Sequence, residues 1–85
     1  MSVIDLRLVN RIRHKLEAGA LPRAHPDKVS GSYGVGDGCN GCSEPMRRTQ
    51  DVCELDFAGQ TYRLHTGCYG LWLGELIRRG LYRPQ

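Results

Sequence analysis

Cys39, Cys42, His65 and Cys68 fall in the order C-x2-C-x22-H-x2-C, and this spacing constrains the fold more than any other feature of the chain. Two pairs of soft ligands, each closed by a two-residue spacer, match what a tetrahedral Zn²⁺ site requires of a short polypeptide. A tight turn across such a spacer aims both side chains at one ion, at about 2.0–2.3 Å. The 22 residues between the pairs leave room for a β-hairpin that brings the second pair back to the first. Four protein ligands leave a tetrahedral ion no open position, so the expected metal is one structural Zn²⁺ per chain.

The chain length makes such a staple valuable. At 85 residues a hydrophobic core alone is thin, and domains of this size commonly add a metal. Large aromatic area comes only from Phe57, Trp72 and the tyrosines Tyr33, Tyr62, Tyr69 and Tyr82, and eleven glycines work against long regular elements. Structural zinc in small finger peptides is worth about 10–16 kcal/mol apparent, enough to decide whether such a chain folds. The N-terminus carries charges among its apolar positions and does not read as a secretory signal. No run approaches the roughly 20 apolar residues of a membrane span. The expectation is a soluble, cytoplasmic protein, where thiols stay reduced and clustered cysteines favour metal over disulfides.

Residues 3–18 read as a helix, with Leu8, Val9, Ile12 and Leu16 forming one apolar stripe. Ser2 and Asp5 suggest a weak capping pair, and Gly19 stands where a C-terminal cap glycine belongs. Residues 20–38 are rich in glycine and proline and read as a loop. Gly34-x-Gly36-x-Gly38 has a phosphate-loop look, but that pattern needs a strand before it and a helix after it, and a metal knuckle follows instead. Across residues 51–64, Cys53, Leu55 and Phe57 alternate with Glu54 and Asp56, Ala58-Gly59-Gln60 supplies a turn, and Tyr62 and Leu64 share a face of the return strand. A second helix is expected from Thr66, as N-cap, to about Arg79. Leu73, Leu76 and Ile77 form its inner stripe, with Trp72 alongside and Gly80 as its stop.

The order knuckle, hairpin, helix resembles a treble-clef zinc finger. The run Cys39-Asn40-Gly41-Cys42-Ser43-Glu44-Pro45-Met46, with Tyr62-Arg63-Leu64-His65-Thr66-Gly67-Cys68-Tyr69, is similar to the first zinc module of LIM domains. The resemblance covers residues 39–69. A LIM domain continues with a second set of four ligands, whereas no Cys or His follows Cys68. The resemblance implies structural zinc and a surface for macromolecular interaction, without catalysis. The expected fold is therefore a small α+β, zinc-stabilised treble-clef domain, its module spanning residues 39–80, with an added N-terminal helix. Cys53 reads as a small buried strand residue, with a four-cysteine site in which it replaces His65 as the alternative. His14 and His25 read as solvated side chains.

Catalysis is not expected. A catalytic zinc keeps an open position and a nearby carboxylate. Glu44 follows the knuckle, but the His-x-Glu and Pro-Cys-x2-Cys elements of zinc deaminases are missing. A thiol redox role for Cys39 and Cys42 would call for a βαβ setting. Charge leaves a third option. Residues 1–30 carry six basic and three acidic side chains, whereas residues 31–85 carry six of each. Arg7, Arg11 and Lys15 recur at i, i+4, i+8, a face that suits phosphates and equally suits solvent. Leu71 lies off the inner stripe, so the second helix is apolar over much of its circumference. Either the first helix or a protein partner covers that surplus. Protein interaction is the leading expectation, nucleic-acid binding the alternative, and no small-molecule substrate is indicated.

Overall fold

Val9, Ile12 and Leu16 are buried along one side of helix α1 (Leu6–Glu17), and Leu8 packs at the margin of the same stripe. The computed structural model describes residues 6–81. The expected first turn of α1 and the Ser2–Asp5 capping pair lie outside them. At the other end, Gly19 adopts φ +79° while its N–H donates to Leu16 O and that of Ala20 to Lys15 O. These two bonds make a Schellman motif and satisfy carbonyls the helix leaves unpaired. Arg23 adds a side-chain cap, its Nε–H donating to Leu16 O over 2.8 Å.

Three strands follow, β1 (Lys28–Tyr33), β2 (Asp51–Phe57) and β3 (Gln60–His65), in an antiparallel sheet of order β1-β2-β3. Helix α2 (Thr66–Arg78) leaves β3 directly. The protein is thus a small α+β fold with two helices and one three-stranded antiparallel sheet. The hairpin falls where alternation placed it, and Gly59 takes φ +79° in its turn. Strand β1 corrects the reading of residues 20–38 as loop. Its sequence Lys-Val-Ser-Gly-Ser-Tyr has weak alternation, and it is defined by pairing with β2, from Lys28 opposite Asp56 to Tyr33 opposite Asp51. An edge strand can have this composition because one partner supplies its register.

Two details of α2 also differ from expectation. Thr66 is not the N-cap: His65 occupies that position, and the Thr66 hydroxyl donates to Asp51 O over 3.1 Å, tying the helix start to β2. The buried stripe is Cys68, Trp72, Glu75 and Leu76, whereas Ile77 is exposed and Leu73 only partly buried. Glu75 takes the place expected for an apolar residue because Arg13 of α1 reaches it: Arg13 Nε lies 2.8 Å from Oε1 and Arg78 Nε 3.0 Å from Oε2. Gly80 ends the helix as anticipated, with φ +73° and a second Schellman pair from Gly80 and Leu81.

Helix α1 packs on α2, and α2 packs on β2 and β3. Between them lies one apolar cluster that includes Ile12, Leu16, Met46, Leu55, Leu64 and Trp72. Trp72 also donates its indole N–H to Pro22 O over 2.9 Å, fixing the chain where it leaves α1. No helix among the described residues is long and apolar enough to cross a membrane.

Candidate metal centre

The sulfurs of Cys39, Cys42 and Cys68 belong to that core cluster and form part of its wall. Together with a ring nitrogen of His65 they lie within 4.8 Å of one another. Cys42 Sγ is 3.4 Å from His65 Nδ1, and Cys68 Sγ is 3.9 Å from it. Ligands about 2.0–2.3 Å from a tetrahedral ion stand roughly 3.3–3.8 Å apart, so the four donors fit one metal ion. They are the four residues that the spacing pairs. Cys53 is outside the cluster, half-buried on β2 opposite Leu64.

Backbone geometry explains the convergence. Residues 39–44 form a tight knuckle in which Ser43 N–H donates to Cys39 O and Cys39 N–H to Glu44 O, both at 2.9 Å. Ser43 adopts φ +69°, the αL conformation such a turn needs. The N–H groups of Gly41, Cys42 and His65 all point at Cys39 Sγ, at 3.3–3.5 Å. The knuckle is docked on β3 by a reciprocal pair: Asn40 N–H donates to Arg63 O at 2.9 Å, and Arg63 N–H donates to Asn40 Oδ1 at 2.8 Å. His65 therefore arrives beside Cys39 because β3 carries it there, and Cys68 follows one turn into α2.

His65 has a defined tautomer in this setting. Its Nε2 lies 3.2 Å from Pro45 O. A carbonyl only accepts, so Nε2 carries the hydrogen and Nδ1 presents its lone pair toward the sulfurs. A second hydrogen bond that orients an imidazole in this way is the usual support of a metal-ligating histidine. The three thiols crowd one another, and their pKa values are driven apart. Cys39 is pulled down to about 4, first by the hydrogen bond from Cys68 and further by the backbone N–H groups on its sulfur. Cys68 is pushed up, chiefly by that same bond and then by burial. Burial also raises Cys42. A divalent cation would relieve this conflict, because metal binding favours the thiolates that crowding otherwise disfavours.

Helix α1 is part of the site. Lys15 Nζ donates to Ser43 Oγ at 2.6 Å and to Asn40 O at 3.1 Å, while Arg11 Nη1 donates to Cys42 O at 3.1 Å. Two of the three basic residues with phosphate-like spacing are thus engaged with the knuckle. Arg7, the third, is exposed and lines the groove that α1 forms beside Cys42. Glu44 stands 3.5 Å from Arg11 at the surface, as a knuckle residue. His14 and His25 are exposed. The glycine run is structural: Gly36 takes φ +89°, and a Cβ on Gly34 would collide with the Met46 and Arg47 carbonyls.

Sequence reasoning had no means of finding Asn40, Pro45, Arg11 and Lys15 as supports of this centre, because their roles exist only once β3 and α1 meet the knuckle. Fold and site define a small α+β protein with a Cys3His cluster able to hold one metal ion. Comparison of the chain with protein-family models, curated proteins and solved structures found no match.

Proposed function

We propose that the chain is a non-enzymatic structural-zinc module of treble-clef type, akin to the first zinc module of LIM domains, that mediates protein–protein interaction. The observation that carries this reading is the convergence of four protein donors, three sulfurs and His65 Nδ1, around one point. A zinc ion held there has its tetrahedral shell filled by the protein, which suits a fold-stabilising ion and leaves no position for a substrate. Thiol and imidazole donors favour zinc over magnesium or calcium. The order knuckle, hairpin, helix supports the treble-clef assignment. Four unpaired cysteines agree with a reducing, cytoplasmic setting.

Nucleic-acid binding through α1 is the second reading. A groove lined by Arg7, Arg11 and Arg47 favours it, and the engagement of Lys15 and Arg11 with the knuckle counts against it. The test is metal content and free-thiol count on protein purified under reducing conditions, followed by mobility-shift titrations with duplex DNA and RNA over a salt series. One zinc per chain, with Cys53 as the sole reactive thiol and no shift at low salt, is the expected result. Metal-free protein with Cys39 and Cys42 joined on oxidation would replace the structural reading with a redox one. A salt-sensitive shift lost on Arg7→Glu would move the assignment to nucleic acid.

A further inference from the structure

The two edges of the sheet are treated differently. On β3 the outward backbone groups next to the knuckle are occupied, those of Arg63 by Asn40 and the His65 N–H by Cys39 Sγ. On β1 they are open. Gly34 N–H donates to Gln50 O at 3.2 Å in the same register that pairs Lys28 with Asp56. Hydrogen bonding alternates along an antiparallel strand. Lys28, Ser30 and Ser32 therefore bond β2, and Val29, Gly31 and Tyr33 direct their N–H and C=O groups away from it. The edge is closed just beyond, where Asp37 Oδ1 accepts from Val35 N–H at 3.3 Å. Tyr33 O accepts one bond from Arg63 Nη2 and keeps a second lone pair. Among the described residues, nothing bonds the outward groups of Val29 and Gly31.

The same strand and the residues just after it carry exposed apolar side chains. Val29, Tyr33 and Val35 are 44%, 67% and 73% exposed, three of the six large apolar residues so exposed among those described. Val29 and Tyr33, two residues either side of Gly31, share one face of β1, and α2 packs on β2 and β3 rather than on β1. An open edge combined with a bare apolar face is a template for an added strand.

We propose that β1 pairs antiparallel with β1 of a second copy of this chain, about a two-fold axis through Gly31, to make one continuous sheet across the dimer. The strand is self-complementary in this register. Gly31 meets Gly31 of the second copy, and Val29 meets its Tyr33, so outward groups face outward groups at every position. A one-residue slip would oppose them to Ser30 and Ser32, whose backbone groups already serve β2. Lys28 is the single charged residue of β1 and falls opposite Gly34, so no like charges meet. The two apolar faces merge between the two α2 helices. Six residues a side make a small interface, hence a weak and concentration-dependent dimer.

Sedimentation equilibrium of the zinc-loaded full chain, from about 10 μM to about 1 mM, tests this. The mass is expected to rise from one chain toward two. Val29→Lys with Tyr33→Lys sets lysines opposite each other across the axis and should hold the mass at one chain. Val29→Lys with Tyr33→Glu sets opposite charges there and should restore the dimer. Unchanged zinc content and far-UV circular dichroism establish that both variants fold. A wild-type mass of one chain throughout would overturn the inference. So would a double-lysine variant that dimerises like wild type, or a lysine–glutamate variant that stays single.

Discussion

A Cβ placed on Gly41 would stand 2.8 Å from Ile12 Cδ1, closer than packed carbon atoms tolerate. The same atom would lie 3.0 Å from Cys68 Cβ and 3.1 Å from Leu64 Cδ2. The spacer residue of the knuckle therefore touches α1, α2 and β3 at once. This is where the Cys3His cluster and the hydrophobic core become one unit: the turn that aims Cys39 and Cys42 is also the floor on which Ile12 sits.

Gly41→Ala tests that unity. The added methyl must displace Ile12 or widen the knuckle, and overpacking of this kind costs about 1–3 kcal/mol. The midpoint of denaturant unfolding should fall accordingly, and zinc should pass to a competing chelator faster than from wild type. Equal stability and equal zinc retention would show that the knuckle is not packed against α1 in solution.

The ligand set separates Cys53 from the other cysteines. Cys39→Ser and His65→Ala each remove a donor from the cluster and are expected to lose zinc and cooperative melting together. Addition of a strong chelator to wild type should give the same result. Cys53→Ala should keep one zinc per chain, with a stability change of about 1 kcal/mol or less for a half-buried side chain. Retained zinc and an unchanged melting curve in His65→Ala would remove His65 from the site.

Lys15 distinguishes a structural from a solvated basic face. Its ammonium makes two bonds to the knuckle, to Ser43 Oγ at 2.6 Å and to Asn40 O at 3.1 Å. Lys15→Met keeps the apolar stem and removes both. The expected loss is about 0.5–2 kcal/mol in urea unfolding, with zinc stoichiometry unchanged. A change within about 0.3 kcal/mol, the level of an ordinary surface substitution, would return Lys15 to the solvent.

Spacing, alternation and stop glycines were legible in the sequence because each acts over a few residues. The Cys-x2-Cys and His-x2-Cys pairs, the hairpin around Gly59 and the caps at Gly19 and Gly80 all belong to that class. Strand β1 was not legible, since Ser30, Gly31 and Ser32 give it no pattern and β2 supplies its register. The exchange of Ile77 for Glu75 on the inner face of α2 was hidden for a related reason. Hydropathy cannot anticipate that Arg13, 62 positions away in the chain, will neutralise a buried carboxylate. Arg11 and Lys15 had the same spacing whether they faced phosphate, water or the knuckle.

Glu75 finally ties pH to the packing of the two helices. Its side chain is 8% exposed, and its carboxylate meets Arg13, Arg78 and Arg79. The hydrogen bond from Arg78, reinforced by that from Arg13 and opposed by burial, holds its pKa at about 2 against an ordinary value of 4.5. A folded-state pKa below the unfolded one contributes stability that is complete above about 4.5 and disappears as pH falls through about 2. Both values lie well below neutral pH, so Glu75 is ionised in the folded and the unfolded chain alike from about pH 6 upward. Glu75→Gln should therefore cost about 1–2 kcal/mol, discounted for the partial exposure of the arginines. That cost should be the same at every point from about pH 6 to about pH 9. Urea unfolding of wild type and variant across that range measures it. A difference that shrinks toward pH 6 would mean that Glu75 takes up a proton in the folded protein and that the arginines do not hold it charged.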